Sequence, residues 1–107
     1  MALFKVGDLE SLSHTAGNCV TYDGLAIAVF YADHQWCAVE NRCSHRDVPL
    51  DDGTVINGEL VCPLHGARFD LKTGAHRNEP ATRGLRTFAV MVVGEELFVE
   101  VEKPDDR

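Results

Sequence analysis

No apolar run in this chain approaches the roughly 20 residues that a membrane-spanning helix requires. Its 107 residues make one domain. The opening stretch Met1-Ala2-Leu3-Phe4-Lys5 lacks the basic-then-apolar pattern of an export signal, so a cytoplasmic protein is expected. Basic residues are few: 10 Lys and Arg stand against 17 Asp and Glu, a net charge of −7. Such a surface repels phosphate, which argues against nucleic acid and anionic membranes as partners. Internal repeats and low-complexity segments are absent. Helix signals are thin: only Val6–Leu12 reads as a single turn, with Asp8 as its cap. Ser11, Ser13 and His14 lie close in sequence but do not amount to a nucleophile–base pair.

What is present reads as β-structure. Leu3–Val6 is a short first strand. Cys19–Tyr22, a turn at Asp23-Gly24 and Leu25–Ala32 form a hairpin, and Asp33-His34 turns the chain into a strand over Gln35–Glu40. The run Leu25–Tyr31 is apolar throughout, which predicts burial on both faces. Thr54–Ile56, Asn57-Gly58 and Glu59–Val61 carry the strongest hairpin signal, because Asn-Gly suits a type I′ turn. Leu85–Val93, a turn near Gly94-Glu95 and Glu96–Glu102 are expected as a long closing hairpin. On its second arm Leu97, Val99 and Val101 alternate with Phe98, Glu100 and Glu102, so one face is core. Closely spaced strands with turns between them indicate an all-β fold, an antiparallel β-sandwich or small barrel.

Cys43-Ser44-His45 is followed, after sixteen residues, by Cys62-Pro63-Leu64-His65. Each pair offers one thiolate and one imidazole beside turn-forming residues. Paired loops of this kind rarely arise from packing alone, and cysteines in a reducing compartment favour thiols or metal ligands over disulfides. Two metals suit a Cys₂His₂ set. Zinc takes it as a tetrahedron, but zinc fingers place Cys with Cys and His with His, the histidines on a helix. A two-iron, two-sulfide cluster takes two thiolates on one iron and two imidazoles on the other. Mixed pairs between strands favour the second assignment, with two loops each reaching both irons.

The surrounding charge is uneven. Residues 41–86 sum to +1 and the remainder to −8, consistent with a rim kept free of excess negative charge where a partner approaches. Cys19 and Cys37 fall within predicted strands and are expected as buried thiols. Trp36 is expected as a core or edge anchor, and His14, His34 and His76 as solvated side chains. Arg83 and Arg86 either pair with acidic neighbours or frame the Cys/His loops.

On these residues the chain resembles the Rieske-type iron–sulfur proteins, in particular the ferredoxin component of bacterial aromatic-ring-hydroxylating dioxygenase systems. The C-x-H and C-x-x-H-G motifs stand as Cys43-Ser44-His45 and Cys62-Pro63-Leu64-His65-Gly66. The F-D-x-x-T-G continuation stands as Phe69-Asp70-Leu71-Lys72-Thr73-Gly74. The resemblance implies a Rieske-type fold with a cluster-binding subdomain at about residues 41–80, a basal sandwich from 1–40 and 81–102, and a tail at 103–107. It implies one [2Fe–2S] cluster per chain, with Cys43 and Cys62 on the inner iron and His45 and His65 on the outer, solvent-facing iron. Pro80 would belong to a third loop covering the cluster, or serve as a plain turn residue in Asn78-Glu79-Pro80-Ala81.

Departures from the pattern are informative. High-potential members carry two further cysteines in the cluster loops; Val48 and Leu64 occupy those positions here. Those members also carry Ser and Tyr hydroxyls that donate to sulfur, where this chain has Ala67 and Phe69. Reduction adds negative charge that such donors stabilise, so the potential is expected toward the low end of the Rieske range, about −150 mV. The chain has no spare length for a mononuclear-iron, flavin or nicotinamide domain. It is therefore expected to be no enzyme, but a monomeric one-electron carrier between an NAD(P)H-dependent flavoprotein reductase and a terminal oxygenase. Docking would be transient and near His45 and His65, on a small apolar disc of Leu50, Pro63 and Leu64 rimmed by Arg46, Asp47 and Arg68. The alternatives are the small Rieske-like subunit of an assimilatory nitrite reductase and, from another class, a zinc-stabilised binding module. Metal analysis separates the last from the others: fresh protein should hold two irons and two acid-labile sulfides and be reddish-brown, whereas one zinc and no colour would end the electron-transfer reading.

Overall fold

A computed structural model of the chain describes residues 2–42, 49–62, 67–75 and 84–101. In chain order its strands are β1 (Ala2–Asp8), β2 (Asn18–Tyr22), β3 (Leu25–Ala32), β4 (Gln35–Glu40), β5 (Thr54–Ile56), β6 (Glu59–Val61), β7 (Arg68–Asp70), β8 (Thr87–Phe88), β9 (Val90–Val93) and β10 (Glu96–Val101). They pair antiparallel in three sheets, ordered β1-β10-β9, β2-β3-β4-β8 and β5-β6-β7. The all-β expectation holds.

The four-stranded sheet is the middle layer. Along β3, Ile27, Val29 and, from β4, Ala38 face a cluster completed by Leu97, Val99 and Val101 of the first sheet. Ala28, Phe30 and Ala32, with Cys37 and Val39 of β4, face the opposite way into a cluster with Leu60 and Phe69 of the third sheet. This is the two-sided burial expected for an uninterrupted apolar strand. Each large side chain so buried is worth about 1.5–3 kcal/mol relative to exposure, so β3 stabilises both halves of the molecule at once. On β10, Leu97, Val99 and Val101 are buried while the residues between them are half-exposed, as their alternation predicts.

Local turn chemistry sets the register. The turn residues Asp23 and Gly24 have φ of 49° and 82°, and Asn57 and Gly58 have φ of 52° and 78°. These left-handed pairs match the twist of the strands they join. Asp33 and His34 do the same at 53° and 61° without a glycine. A single 3₁₀ turn, Leu9–Ser11, follows β1.

Three expectations change. First, Leu85–Val93 is not one strand. β8 pairs with β4, through Thr87 with Val39 and Phe88 with Ala38, whereas β9 pairs with β10. The chain passes between sheets at Ala89, whose carbonyl accepts from the Glu100 N–H at 2.9 Å. A period-two pattern reports which side chains share a face, and it stays silent when a strand changes partner. Second, Asp8 holds the cap position of the 3₁₀ turn, but its side chain makes no capping bond. Its carbonyl accepts from the Ser11 hydroxyl at 2.8 Å and its carboxylate pairs with Lys5 at 3.2 Å.

The third change concerns the cysteines. Cys37 is buried, as expected, and burial pushes its thiol pKa up. Cys19 is exposed. It pairs with Ala28 and so shares that residue's face, but β2 is an edge strand of its sheet. What its sulfur meets there is the Asn41 side-chain amide, at 3.1 Å. The difference is measurable by alkylation with iodoacetamide and peptide mass spectrometry. Near neutral pH Cys19 should be modified in the folded protein while Cys37 stays intact. The raised pKa keeps Cys37 as the unreactive thiol until more alkaline pH, so equal modification of both near neutrality would overturn the assignment.

Candidate metal centre

The second Cys/His pair begins where β6 ends. Leu60 and Phe69 face each other across β6 and β7, as do Val61 and Arg68. One step further, the Cys62 N–H donates to the Ala67 carbonyl at 2.7 Å. That bond closes the base of the segment 63–66. Because side chains alternate along the strand, Cys62 continues the face of Leu60, and it is only 2% exposed. Its thiol is free of any disulfide and sits in the cluster with Ala67, Phe69 and Leu71. A buried, unbridged thiol at the open end of the β6–β7 pair fits the soft thiolate ligand that an iron–sulfur cluster requires.

The first pair follows β4. Asn41, two residues before Cys43, is buried at 8% exposure, the one buried polar side chain among the described residues. Its backbone N–H donates to the Ala26 carbonyl at 2.9 Å. Its side-chain oxygen accepts from the N–H groups of Leu50 and Asp51, at 2.6 and 2.8 Å. The same amide donates to Asp51 Oδ1 at 2.9 Å and to Cys19 Sγ. Leu50 is fully buried, and its carbonyl accepts from Gly53 to close the next turn.

The stretch Phe69–Gly74 forms the base of a third segment. Phe69 is core. Asp70 Oδ1 accepts from the N–H groups of Lys72 and Thr73, at 2.8 and 3.0 Å, and the Thr73 hydroxyl accepts from Ala75 N–H at 3.2 Å. This is a side-chain-supported turn of the kind Asp and Thr favour. It closes on Gly74, whose φ is 77°. The Gly74 carbonyl then accepts from Leu85 N–H at 2.7 Å, and a Cβ on Gly74 would collide with the Leu85 backbone. The F-D-x-x-T-G motif thus has a mechanical reading: one core anchor, one turn, one close approach.

The bases of all three segments converge. Leu50, Cys62, Ala67, Leu71 and Leu85 belong to a single hydrophobic cluster. Of the expected ligands only Cys62 lies among the described residues; Cys43, His45 and His65 lie outside them, as do Val48, Leu64, Pro80 and His76. Among the described residues no three His, Cys, Asp or Glu side chains are grouped to hold a metal. Leu50 cannot serve the apolar contact disc expected of it, because its side chain is core. His14 and His34 are exposed, and the His14 ring lies edge-on to Tyr31 and Trp36 at 4.8 and 5.0 Å. Trp36 packs half-buried against the cluster beneath the first sheet. The Arg86 guanidinium stacks over Phe88, 4.9 Å from the ring centroid, and the Arg86 backbone N–H donates to Glu40 Oε1 at 3.1 Å. Asn41 is one of the turn-forming residues beside the first Cys/His pair, and the sequence assigns it nothing more specific. Its signal, a short polar side chain just after a buried strand and just before a ligand motif, was present but ambiguous.

Comparison with known proteins agrees with this geometry. The ferredoxin component of the naphthalene 1,2-dioxygenase system of Pseudomonas aeruginosa is 30% identical over 101 residues, 94% of this chain and 91% of that protein. The solved ferredoxin of carbazole 1,9a-dioxygenase from Nocardioides aromaticivorans IC177 matches with a TM-score of 0.88 and 31% identity, covering 95% of this chain and 100% of that one. A chain from a solved complex of reduced oxygenase and oxidized ferredoxin in carbazole 1,9a-dioxygenase matches with a TM-score of 0.86 and 30% identity, covering 97% of each. The family model for the Rieske [2Fe-2S] domain matches residues 2–89. The group implied is therefore a [2Fe–2S] cluster, and the zinc reading falls. With the thiol, the loop bases and these matches together, the chain belongs to the Rieske [2Fe–2S] domain family.

Proposed function

We propose that this protein is a one-electron carrier of a multicomponent oxygenase system, taking electrons from an NAD(P)H-dependent flavoprotein reductase and passing them to a terminal oxygenase. The observation that carries the reading is the match over nearly the full length of both chains to ferredoxin components of dioxygenase systems. A ferredoxin recorded in complex with its oxygenase supports the second partner. When bound, the cluster supplies a reversible one-electron couple. The chain supplies the rest: ligands, a dry floor, and a surface for contact.

Cys43 and Cys62 would hold the inner iron and His45 and His65 the outer one, within a cluster-binding part at about residues 41–80. Support comes from Cys62, buried and unbridged, and from the common core beneath the three loop bases. The outer histidines would form the exit route for the electron, and docking there would be brief, with the carrier monomeric between encounters. Conversion of Cys62 to Ser or His45 to Ala should abolish the native visible and EPR spectrum of the cluster. Retention of that spectrum would sink the ligand assignment. In stopped flow, wild-type protein reduced by an NADH-linked flavoprotein should be reoxidised by an aromatic-ring oxygenase with its substrate. Stable co-purification with a sirohaem protein, and no such turnover, would favour the nitrite reductase subunit instead.

The floor of the site also bears on its potential. Ala67 and Phe69 are both fully buried next to Cys62, and neither offers a hydroxyl. Without those donors the reduced cluster is less stabilised, which places the potential low, about −150 mV. Ala67→Ser with Phe69→Tyr should move the midpoint upward in protein-film voltammetry; an unchanged midpoint in a correctly loaded variant would count against this account.

A further inference from the structure

We propose that Asn41 is a positioning residue for the first ligand loop, a side-chain clamp that holds both ends of the segment carrying Cys43 and His45. The inference rests on the ligand assignment above. An Asn amide has two N–H donors and an oxygen with two acceptor sites. All four are used here: the oxygen by Leu50 N–H and Asp51 N–H, the amide by Asp51 Oδ1 and Cys19 Sγ. The backbone of the same residue is tied to β3 through Ala26.

The geometry gives these bonds a purpose beyond satisfying a buried polar group. Asn41 directly follows β4, and Leu50 and Asp51 lie on the far side of the segment that carries the first Cys/His pair. The bonds therefore fix the two ends of residues 42–49 relative to each other. The exit is anchored a second time, because the Leu50 side chain is buried in the same cluster as Cys62. The clamp thus holds the first loop in register with the ligand of the second loop. Outer-shell contacts of this kind orient metal ligands without touching the metal.

Asp51 is the reciprocal partner. It receives the Asn41 amide on its carboxylate while its own N–H meets the Asn41 oxygen. The pair is therefore built so that exchanging the two side chains keeps an oxygen at 41 to accept and an amide at 51 to donate, with net charge unchanged. A merely space-filling role has no such symmetry. Asn41→Asp alone would instead set two carboxylates against each other.

The test uses the cluster-loaded full chain. The rate at which visible absorbance is lost to excess iron chelator is measured for wild type, Asn41→Ala, Asn41→Asp, and the double exchange Asn41→Asp with Asp51→Asn. The spread of g-values in the reduced EPR spectrum is recorded alongside. Asn41→Ala and Asn41→Asp should lose the cluster about 10–100-fold faster than wild type with broadened EPR lines. The exchange should recover most of that loss and sharpen the lines. Wild-type rates and linewidths in both single variants would overturn the proposal. Should Asn41→Ala fail to fold, failure of the exchange to improve on Asn41→Asp would overturn it equally. His45→Ala with an intact cluster would refute the ligand assignment itself, an outcome distinct from a clamp whose loss has no effect.

Discussion

The structure depends on one constraint, the burial of β3 on both faces. Its odd-numbered residues Ile27 and Val29 and its even-numbered residues Ala28 and Phe30 supply two separate clusters. A strand with no water on either side has to be covered by a layer above and another below. The first sheet, built from the two ends of the described chain, provides one cover. The third sheet and the loop bases provide the other. A metal centre held by Cys62 as proposed would sit on the second cluster, a floor that is already dry and close-packed.

That arrangement separates two tasks. The cluster beneath the first sheet contains Leu97, Val99 and Val101 and holds the fold together. The opposite cluster contains the Cys62 thiol together with Leu50, Ala67 and Leu85, so the same apolar contacts that stabilise the molecule also set the positions from which the two Cys/His segments depart. The polar contacts at those departure points are complementary. Each segment is closed at its base by short hydrogen bonds: Asn41 to Leu50 and Asp51, Cys62 to Ala67, and Gly74 to Leu85. Bonds of this kind cost little in stability when satisfied and much when broken in a buried place. They suit a site that must keep one geometry through oxidation and reduction, because a rigid surround leaves little to rearrange when charge changes.

Charge is arranged in the same spirit. The acidic excess lies outside residues 41–86, which are close to neutral. A docking region at these loops, as proposed, would be defined less by a strong attractive patch than by the absence of repulsion toward a partner. The burial of Leu50 narrows what the apolar part of that contact includes, since one of its expected members belongs to the floor.

Much of this was legible from sequence because it is local. Turn pairs at Asp23-Gly24, Asp33-His34 and Asn57-Gly58 mark the left-handed turns, the β10 alternation declares its buried face, and the Cys43-x-His45 and Cys62-x-x-His65 motifs carry the family resemblance. The rest is non-local. The break at Ala89, the strand at Arg68–Asp70, the exposure of Cys19 and the burial of Leu50 all depend on which layer covers a residue, and periodicity reports a face without saying what lies over it. So the sequence by itself determined that this is a β protein of the Rieske [2Fe–2S] family, and it supplied the two Cys/His pairs proposed as the ligand set. Only the tertiary structure decided that Asn41 would be tied to Cys19, Ala26, Leu50 and Asp51, because four hydrogen-bond partners from three separate stretches of chain meet there only after the layers have packed.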